Sequence, residues 1–288
     1  MVNFSLLVLS SLLFSSSQLC TKFYQRTCGS GLKTTIANTL FTSIMVCLSM
    51  FVIGGFSIRF SWFSLGMAAI HSINSFVLIY FGLKAFEFAN LSVYSMFLMM
   101  GSIVIPSVFG IVFYHEPITV ELMVCFVLIF TALYLGVEKG QSNKKATLYY
   151  FLVFTLNGLA GVISKIHQSY HDKTQIVDTQ SFLFWGGSLR IAFSIIVIIF
   201  LAIKAKENIL SAKGVGISLS GGLLNAIGNY FNLYVLIFIP VAVHSVITTA
   251  GMLVFSALLS CFILKDKLTE RQIIALILSV CAAILTTI

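Results

Sequence analysis

The segment GVGISLSGGLLNAIGNYFNLYVLIFIPVAVHSVITTAGMLVFSALLSCFIL, residues 214–264, contains no aspartate, glutamate, lysine or arginine. A single α-helix of this length would extend about 75 Å at about 1.5 Å per residue, which is far more than the roughly 30 Å hydrocarbon core of a bilayer. The segment must therefore fold back on itself. Pro240 is the expected break, because proline disrupts the interior of a helix.

The rest of the chain is similarly apolar. Its 288 residues are 59% hydrophobic and only 9% charged, and its mean hydropathy is +1.04. A soluble domain cannot bury so large an apolar fraction, so the lipid bilayer is the expected solvent. The alternating ten-residue pattern of a β-barrel does not recur. We therefore predict an all-α integral membrane protein with ten transmembrane helices. The predicted spans are 4–20, 34–56, 62–83, 90–113, 121–137, 146–166, 180–203, 214–239, 240–264 and 271–288.

Positive charge is divided unevenly between the two sides of the membrane that ten spans define. One side, the basic side, carries the loops after the odd-numbered helices; the other carries only Arg59, Lys165 and Lys173, while Arg190 lies inside a span. Basic residues collect on the cytoplasmic side, so both termini are predicted to face outward from a plasma or cytoplasmic membrane. The basic-side residues are Lys22, Arg26, Lys33, Lys84, Lys139, Lys144, Lys145, Lys204, Lys206, Lys213, Lys265, Lys267 and Arg271.

The charges and cysteines also bear on cofactors and partners. The basic residues are scattered over short loops, so we expect no nucleic-acid partner. The six cysteines form no CxxC pair and lie mostly in or beside spans, where a thiol behaves as a small hydrophobic group. We therefore expect no disulfide framework, metal site or cofactor. The expected partners are a small-molecule solute and the lipid bilayer, with the protein a monomer or a homodimer.

The two halves of the chain align with each other at a constant offset of 150 residues over the last two helices of each half. Earlier in each half, TKFYQ (21–25) resembles SKIHQ (164–168) at a shorter offset. Each half contains five spans, and an odd number forces the halves into opposite orientations. The sequence therefore predicts an inverted repeat of residues 1–140 and 141–288, together forming one transport domain. The matched positions are His115-Glu116 with Lys265-Asp266, Thr119 with Thr269, and Gly101 with Gly251.

Two matched segments, SVFGIVFYHEPITVELMVCFVLI (107–129) and SALLSCFILKDKLTERQIIALIL (256–278), each contain a helix, a short turn with an acidic residue and threonine, and a final helix. On these motifs, and over nearly its whole length, the chain resembles the ten-helix EamA-type members of the drug/metabolite transporter superfamily. The resemblance implies a secondary transporter. The second turn departs from the family pattern, with Asp266-Lys267 in place of Glu-Pro. The resemblance also implies cytoplasmic termini, whereas the charge asymmetry places them outside.

Helix 8 carries three asparagines, Asn225, Asn229 and Asn232, at spacings that place them on one stripe. An amide without a partner in hydrocarbon costs several kcal/mol, so the stripe must face protein or water. Two interpretations remain open: the amides join neighbouring helices, or they line a central cavity. Asn225 and Asn229 are better candidates for the cavity than Asn232.

Other polar residues lie within the predicted spans. Arg190 is near the centre of span 7, where a charge needs a partner or an aqueous cavity; no acid lies in the central part of any span. Its possible partners are carbonyls, Asn157 or an anionic group of the solute, and the alternative is that it snorkels to the interface.

His244 and Thr248 share a face of helix 9, and the repeat places Tyr94 opposite His244. Helix 3 adds His71, Asn74 and Ser75, with the same choice between cavity and packing. The predicted substrate-binding residues are Arg190, Asn225, Asn229, His244, Tyr94, Asn74, Thr248 and Asn157.

The lack of a carboxylate inside the spans argues against a proton-coupled exporter of cations, which usually exchanges its substrate for a proton on a buried acid. The sequence favours a small neutral, zwitterionic or anionic metabolite, bound between the repeats and moved by alternating access. A passive channel is an alternative. An intramembrane serine hydrolase would need Ser218 or Ser220 to meet His244, but GISLSGG (216–222) lacks nucleophile-elbow spacing. We therefore expect no enzyme.

Overall fold

The structure is a computed structural model that describes residues 2–115, 117–137, 144–170, 172–205, 211–236, 238 and 241–285. Within these residues the chain forms ten α-helices and one 3-10 turn, and contains no strand, which confirms the predicted all-α fold. Pro240 and Glu116, on which two expectations rested, lie outside the described residues. The helices are α1 (Val2–Cys28), α2 (Leu32–Ile53), α3 (Trp62–Ala85), α4 (Leu91–Tyr114), α5 (Val120–Gly136), α6 (Lys144–Ser169), α7 (Thr179–Ala205), α8 (Ala212–Leu236), α9 (Val241–Phe262) and α10 (Glu270–Leu285).

The outer surface of the helices is apolar. Among the described residues, six helical stretches are long and apolar enough to cross a membrane, in α1, α2, α3, α4, α6 and α7, and two shorter apolar helical stretches lie in α5 and α9. Large hydrophobic side chains such as Trp62, Val120 and Phe193 are exposed. An apolar surface of this extent is unfavourable in contact with water. The molecule is an integral, multi-pass membrane protein.

The turns after α4 and α9 share two local features. His115, directly after α4, has φ 53°, and Lys265, three residues after α9, has φ 56°. Threonine then caps the next helix: the Thr119 hydroxyl accepts a hydrogen bond from the Leu122 amide at 3.3 Å. The Thr269 hydroxyl accepts one from the Gln272 amide at the same distance. Each cap satisfies an amide of the first helical turn that lacks an intrahelical partner.

Each half of the chain packs mainly against the other half. α1 lies against α8 and α9, and α6 lies against α3 and α4. α2 packs against α7 and α8, and α7 packs against α2 and α3; α5 pairs with α10. The largest buried apolar cluster surrounds α4, of which every residue from Leu91 to Gly101 is buried. This interleaving leaves a space between the halves.

Small residues allow the closest helix contacts. A Cβ atom added to Gly101 of α4 would overlap the backbone of Phe154 in α6, and one added to Gly251 of α9 would lie 2.7 Å from the side chain of Ser11 in α1. The Ser15 hydroxyl donates to the Met252 carbonyl at 3.1 Å. In membranes, where no hydrophobic force drives helices together, such close contacts and interhelical hydrogen bonds hold them.

Candidate functional site

A cavity of about 310 Å³ lies between α1, α2, α3, α4, α6, α7 and α8. Its wall combines apolar side chains with amides, hydroxyls, one histidine and one arginine. A polar-lined space inside an apolar bundle is where a solute can exchange water for protein hydrogen bonds. It is therefore the candidate solute site.

Arg190 supplies the positive charge of this wall. Its Nε donates to the Ser43 hydroxyl of α2 at 3.0 Å. Among the described residues the one salt bridge joins Arg26, at the end of α1, to Asp266, between α9 and α10, so no described carboxylate neutralises Arg190. A guanidinium carries five N–H donors. One hydrogen bond to a neutral hydroxyl leaves its charge and several donors for a ligand.

Two of the three asparagines of α8 line the cavity, Asn225 and Asn229. The Asn229 amide donates to the side-chain and backbone oxygens of Asn225, both at 3.0 Å. Across the cavity wall, Asn38 of α2 accepts a hydrogen bond from the Ser218 hydroxyl at 2.7 Å. These intrahelical and interhelical bonds fix the orientation of the amides at the cavity wall.

Asn157 and Tyr94 form the wall on the side of α4 and α6. The Asn157 amide donates to the Leu98 carbonyl at 2.7 Å. Tyr94 is only 8% exposed, and its ring lies 4.0 Å from that of Phe86. A Cβ atom at Gly82 would be 2.9 Å from the Tyr94 hydroxyl. Tyr94 therefore fills the space between α4 and the end of α3.

Lys22 of α1 binds the connection between α3 and α4. Its ammonium donates to the Phe86 carbonyl and, at 2.7 Å, to the Ala89 carbonyl. It also lies 5.2 Å from the centre of the Phe86 ring. Lys22 and Phe86 are almost fully buried. Tyr94 of the cavity wall thus packs on Phe86, which Lys22 contacts, and we call these three residues the basic-side layer.

Three residues of the predicted site lie away from the cavity wall. His244 Nε2 donates to the Asn232 carbonyl at 3.0 Å, and the Thr248 hydroxyl donates to the Asn232 side-chain oxygen at 3.2 Å. The Asn74 amide donates to the Leu156 carbonyl of α6 at 2.9 Å. The first two residues join α8 to α9 and the third joins α3 to α6. Solute contact at all eight predicted positions stays a prediction.

Other lining residues were not part of the predicted set. Asn38, Thr42 and Ser43 of α2 line the cavity, together with His71 and Ser75 of α3. The spacing of four residues between Asn38 and Thr42, and between His71 and Ser75, is the signal that places each pair on one helix face. Helix 2 also contains other threonines and serines, so composition alone does not single out this face.

The model of a protein family described as the EamA-like transporter family matches residues 144–288. A solved structure described as "Crystal structure of protein" is 13% identical, with a TM-score of 0.58, and the match covers 96% of this chain and 95% of that one. At this identity the likeness shows the fold alone. No curated protein matches the chain.

Proposed function

This chain belongs to the EamA-like transporter family, and from that premise we propose that it is a secondary transporter for a small neutral, zwitterionic or anionic metabolite. The solute binds in the central cavity and crosses the membrane by alternating access. The family accounts for a multi-pass membrane transporter of small molecules; the solute class and the transport cycle are our proposal.

The observation that carries the solute class is Arg190 on the cavity wall, with a hydroxyl as its hydrogen-bond partner and no salt-bridge partner among the described residues. A buried cation attracts an anion strongly, because little water screens the interaction. It repels a cationic drug by the same physics. A carboxylate or phosphate would take the guanidinium donors, while Asn225, Asn229, Asn157 and Tyr94 would bind the polar remainder. In this proposal His244, Thr248 and Asn74 hold the surrounding helices.

We also propose that residues 1–140 and 141–288 are inverted repeats. The similar turns after α4 and α9 support this, and so do two helix contacts. Gly101 meets Phe154, and Gly251 meets Ser11. Gly101 and Gly251 are separated by the 150-residue offset of the matched turns. Ser11 and Phe154 are separated by the 143-residue offset of TKFYQ (21–25) and SKIHQ (164–168). The same contact thus recurs with the roles of the halves exchanged.

Alternating access follows from such a pair of repeats, because each half can adopt the conformation of the other. In our proposal the basic-side layer closes one end of the cavity. Opening that end would require Lys22 to release the carbonyls of Phe86 and Ala89, and the α3–α4 connection to move from α1. In our proposal the two halves rock against each other around the central cavity, while α5 and α10 remain peripheral.

The proposal is tested by uptake into liposomes that contain the purified protein. A metabolite that raises the melting temperature of the wild type is first identified, since a ligand that binds only the folded state stabilises it. Arg190→Ala, Asn225→Ala and Asn229→Ala should each abolish or strongly reduce its uptake. Arg59→Ala, which removes an exposed arginine in a loop, is the matched control. Unchanged uptake in all three cavity variants would refute this site.

Two other functions can be separated from this one. A passive channel would show neither saturable uptake nor counterflow of labelled solute. A serine hydrolase would need Ser218 or Ser220 beside His244. The Ser218 hydroxyl instead donates to Asn38, the Ser220 hydroxyl donates to the Gly216 carbonyl, and His244 donates to Asn232. We therefore propose no hydrolase, and absence of labelling by a fluorophosphonate probe would agree.

A further inference from the structure

A second space adjoins Arg190 from the outside of the bundle. It is an apolar crevice of about 330 Å³ between α3 and α7, lined by Ile73, Phe76, Leu189 and Phe193 among others. Ile73 is 68% exposed and Phe193 48% exposed. In a membrane these side chains meet acyl chains, so the crevice opens sideways into the bilayer rather than into water.

Arg190 lines both this crevice and the central cavity. Ser72, also in the crevice wall, donates to the Gly186 carbonyl at 2.8 Å and so joins α3 to α7 one turn before Arg190. The guanidinium therefore lies at the boundary between a polar space inside the bundle and an apolar space facing lipid.

Two other lipid-facing crevices lack this arrangement. The crevice between α2 and α8, lined by Leu48, Val52 and Tyr230 among others, has no charged residue in its described wall. The crevice bounded by α4, α5, α6 and α10 contains Arg271, but none of its described residues lines the central cavity. Of these three crevices, only the one between α3 and α7 shares a residue with the candidate solute site.

We propose that the solute is a single-chain anionic amphiphile whose carboxylate or phosphate head binds Arg190 and whose hydrocarbon tail lies between α3 and α7. This inference rests on the proposed function and narrows its solute class. The tail remains in an apolar environment throughout, so it pays no cost for exposure to water. The head has to leave water, and it needs the cation and amides of the cavity in exchange.

The test uses decyl phosphate with a photoactivatable diazirine at the end of its tail. The full-length protein is placed in phosphatidylcholine nanodiscs and irradiated, and labelled residues are mapped by mass spectrometry. We expect labelling at Ile73, Phe76 and Phe193 that excess decyl phosphate suppresses. Loss of the charge-assisted contact in Arg190→Gln should lower it at least about tenfold. Arg271→Gln is the matched control and should leave labelling between α3 and α7 unchanged.

Three further arms identify the occupant. Arg190→Lys keeps the positive charge but lacks the guanidinium fork, so it should retain labelling clearly above that of Arg190→Gln, which shows that loss in Arg190→Gln is not misfolding. A diazirine decanol should label the crevices of α2–α8 and α3–α7 alike, whatever residue stands at 190. Dimyristoylphosphatidate should not compete with decyl phosphate. If it competes better than decyl phosphate does, the occupant is a two-chain lipid and the inference is overturned.

The result can also separate this inference from the proposed function. Decyl phosphate labelling that is equal in wild type and Arg190→Gln means that the crevice holds only bulk lipid tails. If uptake of the metabolite identified by its effect on the melting temperature still depends on Arg190 in that case, the amphiphile is rejected and the transporter proposal stands. If neither labelling nor uptake depends on Arg190, both proposals fail.

Discussion

Gly101 and Gly251 set the distance between helices at two places in the molecule. At each, a hydrogen in place of a side chain lets one helix contact the backbone or Cβ of another, at Phe154 and Ser11 respectively. Packing inside a folded protein leaves little free volume, so even one methyl group matters there. Their contribution is steric, and neither residue contacts the cavity.

Gly101→Ala should destabilise the protein by about 1–3 kcal/mol, because the new methyl group can be accommodated only if α4 and α6 move apart. The melting temperature of the purified protein in detergent measures this. Gly66→Ala is the control: Gly66 lies in α3 and a Cβ atom there would meet nothing within 4 Å. Because alanine has a higher helix propensity than glycine, the melting temperature of Gly66→Ala should be unchanged or slightly higher. Equal melting temperatures for both variants would contradict the steric role of Gly101.

At this scale the sequence identified which residues were unusual but not what they face. The stripe of Asn225, Asn229 and Asn232 was visible from spacing alone. Two of these amides line the cavity, whereas Asn232 accepts hydrogen bonds from His244 and Thr248 one turn further along. The difference depends on where α9 crosses α8, which is a tertiary contact. Spacing along one helix contains no information on its neighbour.

The short connections after α4 and α9 each contain a strained backbone conformation. Both contain a residue with left-handed backbone, His115 and Lys265. In this region the Cβ of an L-residue approaches its own carbonyl, at a cost of about 1–2 kcal/mol that glycine avoids. The fold accepts this cost in both connections, since the left-handed residue reverses the chain within a few positions of the helix end.

Lys265→Gly should raise the free energy of unfolding by about 0.5–1 kcal/mol, because relief of backbone strain exceeds the added entropy of the unfolded chain. Lys267→Gly is the matched control, since Lys267 is also exposed and is not among the described residues with positive φ. It removes the same charge and should give no gain. Thermal or denaturant unfolding compares the two. A gain of the same size from both variants would trace the effect to charge instead.

Helix limits were largely predictable, with one instructive exception. Hydropathy ended the first span at residue 20, whereas α1 continues to Cys28. The last two turns include Lys22 and Arg26, which a hydropathy average counts against a helix inside the membrane. Lys22 is accommodated because the carbonyls of Phe86 and Ala89 bind its ammonium. A hydropathy average over neighbouring residues contains no information on a partner more than sixty residues away.

At the scale of the whole molecule, the ten predicted crossings would place both termini on the same side of the membrane, and the charge asymmetry predicts that this side is the outside. The charged residues lie near helix ends or in connections of the folded molecule, Arg26, Lys84, Lys265 and Arg271 on the basic side and Arg59, Lys165 and Lys173 on the opposite side. The family resemblance implies cytoplasmic termini instead, so the side on which the loops lie has to be measured directly.

Single cysteines at Ser57, in the connection between α2 and α3, and at Ser211, before α8, would report the orientation. Both positions are exposed. In a variant without the six native cysteines, a membrane-impermeant maleimide should label Ser57→Cys in intact cells and Ser211→Cys only after permeabilisation. The reverse pattern would invert the orientation. Labelling of both in intact cells would contradict the ten-span topology.

The contact of α1 with α8 and α9 also determines when the protein can be completed during biosynthesis. Ser15 is separated by 237 residues from Met252, the carbonyl partner of its hydroxyl. At a translation rate of about 5–20 residues per second, that partner is made on the order of 10–50 s after the first helix. Until then the Ser15 hydroxyl has only the Ser11 carbonyl of its own helix as a partner. A fragment released by a ribosome that stalls midway therefore lacks the contacts that join α1 to α8 and α9.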